Sequence, residues 1–372
     1  MYILKYKIKF LLALWLGLTV ILQPVHSASR IDGLYEMQVV VKDQSAAERQ
    51  DGIMNALATV LTKLTGRQAE AGSGALKDIL KNASRYVDQY QYQTTAGQND
   101  QVSLWVSFNQ LAIEKALEQK RISLWGNIRP DSLLWLAVED KAGRYILAND
   151  KANPVYQSLM ASASELGIPL QVPKMDKDDR RVARISDIWG NFPGQIRVAS
   201  GRYQVDNILM AKLYSDGAEW RTNWTLISET NEQSWSGRGK YAGQALADGL
   251  RGYTEILMDR YAIQASADIS RYQLVIKNVN SLSEYHAIEN YLSSIMLIAS
   301  YQLHSVSLGQ LSYYVNLRAN IKDLERVLDL QQRLIKDDGY TVPTEGAGST
   351  QQAGIAAIPE TPSDTLYYRL KL

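Results

Sequence analysis

The chain of 372 residues sets 40 Lys and Arg against 39 Asp and Glu, with three His and no Cys. A near-balance of charge speaks against a nucleic-acid binder, which is expected to show a basic excess. The missing thiols exclude disulfides, cysteine nucleophiles, cysteine metal sites and a lipid-modified cysteine.

The amino terminus has the layout of an export signal. Lys5, Lys7 and Lys9 precede the apolar run FLLALWLGLTVIL (Phe10–Leu22), and small residues Ser27, Ala28 and Ser29 follow. Residues 1–27 are therefore the expected signal peptide, with a retained anchor as the alternative; a full span needs ~20 apolar residues. Cleavage would remove three lysines and leave 37 basic against 39 acidic residues. An exported chain without disulfides must rest on its hydrophobic cores, and this length suffices for two or three of them.

A first unit is expected from Leu34 to Ile122. LYEMQVVVKD alternates as a strand, and SAAE (Ser45–Glu48) has capping-box spacing. Ile53, Leu57, Leu61 and Leu64 recur at helical spacing, with Gly66 as the stop. A helix over 75–82 leads into RYVDQYQYQ, which pairs with QVSLWVSF across AGQND, and a helix over Gln110–Gln119 closes the unit.

A second unit is expected over 129–265. The strand LLWLAVED is uninterruptedly apolar, which predicts burial on both faces. A helix over Pro154–Leu166, the short strand IPLQV and the charged stretch KMDKDDRRVAR come next. NILMAKLYSDGAEWRTNWTLIS predicts two strands joined at Asp216-Gly217, with QSWSGRG as a third. A long helix follows, its stripe formed by Leu246, Leu250, Tyr253, Leu257 and Tyr261.

The third unit, expected over 271–336 plus 365–372, begins with the strand RYQLVIKNVN and a second capping box, SLSE (Ser281–Glu284). A strand pair around Gly309-Gln310 and a helix over Lys322–Leu334 make the order βαββα. Residues 343–364 have the composition of a flexible linker. LYYRLKL alternates strictly, and as a sixth element it would complete a ferredoxin-like βαββαβ domain and cover an open edge. The fold class is thus α+β or α/β: three small mixed domains behind a signal peptide.

Few residues point to chemistry. WGNIRP, around Trp125 and Arg129, is either a stiff domain junction with Arg129 bonded to carbonyls or a ligand pocket at that junction. Trp220 and Trp224 share a strand face, either as a core stripe or as a stacking platform for a glycan. With His26 in the signal segment, the isolated His286 and His304 make no metal-ligand spacing. No nucleophile elbow, phosphate loop or zinc-helix motif occurs, and no cofactor is implied. A hydrolase built on carboxylate pairs would draw on Asp176, Asp178, Asp179 and Asp187, in a charge run that otherwise reads as a solvated loop and helix start.

SAAERQDGIMNALATVLTKLTG, NASRYVDQYQYQ, LWVSF, LWGNIRPDSLLWLAVED and RYQVDNILMAKL together resemble a bacterial exported family catalogued as domain of unknown function two-zero-six-six, over about Leu34 to Leu334. The resemblance implies a periplasmic protein of a Gram-negative bacterium and supplies no catalytic residues. RYQVDNILMAKLYSDG is also similar to a segment of envelope assembly domains of the flagellar-assembly and TolB amino-terminal types, with Val205-Asp206 for their Ala-Asp and Ala211 for their usual Gly. The expected function is a non-catalytic periplasmic protein that binds another envelope protein as scaffold or assembly factor. The alternatives are a glycan or peptidoglycan binder and a carboxylate hydrolase.

Overall fold

The computed structural model describes residues 29–66, 74–95, 101–141, 143–228, 232–263, 269–337 and 365–371. The expected signal peptide and the expected 343–364 linker lie outside them, as does Leu372. The described chain is a mixture of α and β elements arranged as small α+β units, with the three larger sheets each backed by helices.

After a short strand β1 (Ser29–Arg30), the first unit comprises β2 (Glu36–Val41), α1 (Ala46–Thr65), α2 (Lys77–Lys81), β3 (Val87–Thr95), β4 (Gln101–Phe108) and α3 (Gln110–Gln119). Its sheet is antiparallel in the order β2-β4-β3, and α1 presses its apolar stripe of Ile53, Leu57, Leu61 and Leu64 into the core. Ser45 Oγ accepts from Glu48 N at 3.3 Å, as the capping box predicts. The reciprocal half is not made, because the Glu48 carboxylate turns to Lys42 and accepts from its backbone N at 3.3 Å and from Nζ at 3.0 Å. Gly66 ends the helix in the left-handed conformation, φ +63°, and bonds back to Thr62 O.

A two-residue strand β5 (Ile128–Arg129) pairs with β1 and leads into the second unit. There β6 (Ser132–Asp140), β7 (Gly143–Ile146), α4 (Pro154–Leu166) and β8 (Leu170–Gln171) come first. Three short helices follow, α5 (Lys177–Val182), α6 (Ile185–Trp189) and α7 (Pro193–Ser200). The unit ends with β9 (Asn207–Ser215), β10 (Trp220–Ile227), β11 (Gln233–Gly239) and α8 (Ala242–Tyr261). The sheet runs β11-β10-β9-β6-β7, with β6 parallel to β9 and β8 also alongside β6. Leu134, Leu136 and Val138 of β6 enter a core under α4 and α8, while Leu133, Trp135 and Ala137 enter a second core under α6 and α7. Coverage on both faces is why this strand reads as a continuous apolar run. The stretch expected as a solvated loop and helix start belongs to the helical layer over that second face. The β9–β10 turn holds four residues rather than Asp216-Gly217 alone, since Ser215 pairs with Trp220. Asp216 folds it by accepting from the backbone N of Ala218 and of Glu219.

The third unit contains β12 (Ser270–Lys277), α9 (Leu282–Ser294), β13 (Ile298–Ser307), β14 (Gln310–Leu317), α10 (Ile321–Gln331), β15 (Leu334–Lys336) and β16 (Thr365–Leu370). Ser281 and Glu284 form the full reciprocal capping box at the start of α9. The sheet order is β13-β14-β12-β16-β15. The tail strand docks in this sheet, but not as the antiparallel edge that a ferredoxin-like ending would supply. It runs parallel to β12 and lies inside β15, to which it is antiparallel. The cause is a strand not expected from the sequence: α10 stops at Gln332, in left-handed conformation, and Leu334–Lys336 takes the outer position first.

Candidate functional site: a cleft between the first and third units

The junction WGNIRP is interior. Trp125 is 1% exposed and Arg129 is fully buried. Every guanidinium donor of Arg129 meets a backbone carbonyl. Nε donates to Gly126 O at 3.0 Å, Nη1 to Leu166 O at 3.1 Å and Gly167 O at 2.6 Å, and Nη2 to Lys63 O at 2.7 Å and Trp125 O at 3.4 Å. Lys63 belongs to α1 of the first unit, and Leu166 and Gly167 end α4 of the second, so one side chain ties the two units through their helix ends. Carbonyls at helix C-termini carry partial negative charge, which suits a buried cation without a carboxylate. Burial lowers the Arg129 pKa to about 9, still above neutrality, so the charge persists. With five donors on five carbonyls, Arg129 has none left for a ligand.

Trp220 and Trp224 lie on one face of β10, against the core that Trp125 of the junction also enters. Trp224 is 1% exposed and stacks on Trp235, with ring centroids 6.1 Å apart and planes at 11°. Trp235 stacks in turn on Tyr253 of α8 at 6.2 Å, and Trp220 packs half-buried beside the same core. The pair is therefore a core stripe under the long helix rather than a surface platform. Gly249 makes this packing possible, since a Cβ there would lie 1.8 Å from Trp224 Nε1.

The carboxylates considered for hydrolysis are held by their own helices. Asp176 caps α5 and forms a two-point ion pair with Arg202, at 2.7 and 2.9 Å. Asp179 is fully buried and accepts from Tyr203 Oη at 2.5 Å, Met175 N at 2.8 Å and Arg202 Nη1 at 3.1 Å. Asp187 accepts from Arg184 N at 2.9 Å, and Asp178 stands exposed on the first turn of α5. Arg202 bridges Asp176 and Asp179, so one cation engages both carboxylates. His286 and His304 sit on different elements, α9 and β13, each beside a tyrosine ring. Among the described residues no group of His, Cys, Asp and Glu could hold a metal ion.

The feature that no motif announces is a cleft of about 320 Å³ where α3 faces the third unit. Leu124, Ile263, Met296 and Leu297 line its apolar interior, and Leu111 and Ile269 stand at its mouth, 63% and 61% exposed. The Leu124–Ile263 bridge, with backbone bonds of 2.9 and 2.8 Å, fixes one wall. In another wall Glu114, 8% exposed, accepts from Tyr35 Oη at 2.7 Å, Gln110 Nε2 at 2.8 Å and Arg318 Nη1 at 2.8 Å. Burial, then the charge and hydrogen bond of Glu114, pushes the Tyr35 phenol far above its usual range. The phenol therefore stays protonated and a donor. Tyr35, Glu114 and Arg318 are far apart in sequence, and no local spacing could have united them. The nearest signal is that Glu114 neighbours the buried Ile113 and Leu117 on α3.

The family described as Domain of unknown function (DUF8605) matches residues 28–126. The match takes in the first unit and stops inside the junction, at Gly126. A family without assigned function is in keeping with the resemblance drawn from the sequence, but it is a differently catalogued one. No curated protein and no solved structure matches the chain. Among the described residues no helix is long and apolar enough to cross a membrane.

Proposed function

We propose that this chain is a non-catalytic periplasmic protein that binds another envelope protein through the cleft between α3 and the third unit. The observation that carries this reading is the cleft itself: an apolar interior, exposed Leu111 and Ile269 at its mouth, and a salt-bridged wall. Such a concavity accepts an apolar side chain or two from a partner, while Lys115 and Glu118 offer polar contacts at the rim. The Arg129 anchor supports a scaffold role, because it holds two units in one orientation at small cost in mobility. The export signal read in residues 1–27 and the resemblance to the exported family two-zero-six-six support the periplasm. The glycan alternative loses its platform with Trp224 enclosed, and the hydrolase alternative loses its carboxylate pair.

The test is site-specific photocrosslinking of the full chain in Gram-negative cells. A crosslinking residue at Leu111 should give a discrete protein adduct that the same residue at Val40, 64% exposed on β2, does not give. No adduct, or the same adducts from both positions, overturns the proposal.

A further inference from the structure

The helical layer α5–α7 has a second face. Inward, Ala183, Ile188, Ile196 and Ala199 fill the core against β6 and β9. Outward, Val182, Phe192 and Val198 are 37%, 56% and 73% exposed, although they contribute nothing to that core. They surround an open crease of about 760 Å³ that Arg181 and Arg184 also line, with Asp187 as the carboxylate in the lining, held by the backbone N of Arg184. Neither arginine has an ion pair among the described residues, in contrast to Arg202 nearby. From Lys174 to Arg202 seven basic residues stand against four acidic ones, in a chain whose charges otherwise nearly balance. Two of those acids, Asp176 and Asp179, share Arg202 as their ion-pair partner, and the stretch keeps a net excess of three positive charges. Phe192 is held in place rather than loose: it follows Asn191 in left-handed conformation, and its ring lies so close over Gly190 that a Cβ there would fall 2.4 Å from Cε2.

We infer that this face binds the surface of an anionic phospholipid bilayer. Three protruding apolar side chains on separate short elements, with two unpaired arginines beside them, match the apolar boundary and negative headgroups of such a surface. An acidic protein partner fits less well. The crease is more open than the cleft, and so encloses less well an anchoring side chain of the kind that dominates protein interfaces. Arginine can also lay its aliphatic stem along the acyl boundary while its guanidinium stays with phosphate. The inference does not depend on the cleft, which lies on other units.

The chain has no cysteine, so Val198→Cys supplies a single thiol for an environment-sensitive fluorophore. With the full chain, the label at 198 should shift to the blue on vesicles of phosphatidylglycerol and stay unchanged on phosphatidylcholine. The shift should reverse at high salt. A label at Leu308→Cys, fully exposed on the β13–β14 turn, is the control and should stay unchanged on both. Arg181→Gln with Arg184→Gln should weaken vesicle affinity about thirtyfold, the combined effect of two arginines near an anionic surface. Phe192→Ser should weaken it with the charge intact. Both sets are surface changes, and an unchanged melting curve verifies the fold. A silent label at 198, an equal response at 308, an equal response to phosphatidylcholine, or a response to polyglutamate but not to vesicles would each overturn the inference.

Discussion

The Arg129 guanidinium lies over the Trp125 ring, 3.9 Å from its centroid, with the five carbonyls around its edge. Ring face and carbonyl rim together replace the water that a buried cation loses. Arg129→Met should therefore cost ~3–4 kcal/mol, because several buried carbonyls lose their donor at ~1–3 kcal/mol each before relaxation and water entry. Arg129→Lys should recover less than half of it, since three ammonium donors cannot span a planar fork. Calorimetry checks both, and separate unfolding of the first and second units in Arg129→Met would mark the loss of coupling.

Trp125→Ala should destabilise by ~3–5 kcal/mol, the range for emptying a buried aromatic site. The indole also forms the face against which Arg129 rests, so the double variant with Arg129→Met should lose less than the sum of the two singles. Urea unfolding of the four proteins measures that coupling.

Gly249→Ala tests the aromatic stack. The added methyl would meet the indole of Trp224, whose ring is stacked on Trp235, itself bonded through Nε1 to Gly249 O at 2.7 Å, so the helix must move off the sheet. A cost near the top of the ~1–3 kcal/mol range for overpacking is expected. Reduced near-ultraviolet circular dichroism would place the disturbance at the tryptophans.

Removing residues 365–372 deletes an interior strand of the third sheet, since β16 lies between β12 and β15. Leu366 and Tyr368 leave the core with it, and β15 loses the strand it pairs with. The melting temperature of the full chain should fall. An unchanged value would mean that the tail is not docked in solution.

Acid stability should depend on Asp176. Its hydrogen-bonded ion pair with Arg202, foremost, and the α5 backbone amides hold its carboxyl well below the ordinary value of 3.8. A depressed folded pKa contributes stability above the unfolded pKa, and that contribution fades as pH falls through the folded one. Asp176→Asn keeps the helix cap and removes the charge. Its melting temperature should change less than that of the wild type as pH is lowered from 5 to 2, and parallel curves would show that the pair contributes nothing.

Much of the fold was legible in the residues, for a local reason. Ser281 and Glu284, Gly66, and the α3 boundaries Gln110–Gln119 follow from capping and backbone preferences that act within a few residues. The unbroken apolar run in β6 foretold burial on both faces, because such burial leaves no polar alternation; that helices cover both faces came from the structure. Tertiary structure alone decided the rest. The direction of β16 turned on three residues, Leu334–Lys336, too short to carry a period of their own. The cleft depends on Tyr35, Glu114 and Arg318, brought together by packing between units, and pattern along one segment is blind to that. Arg129 shows the division most clearly. Its sequence neighbours mark a constrained junction with carbonyl partners, but which carbonyls they are, Lys63 O of α1 and Leu166 O and Gly167 O at the end of α4, is decided only by the packing of two helix ends.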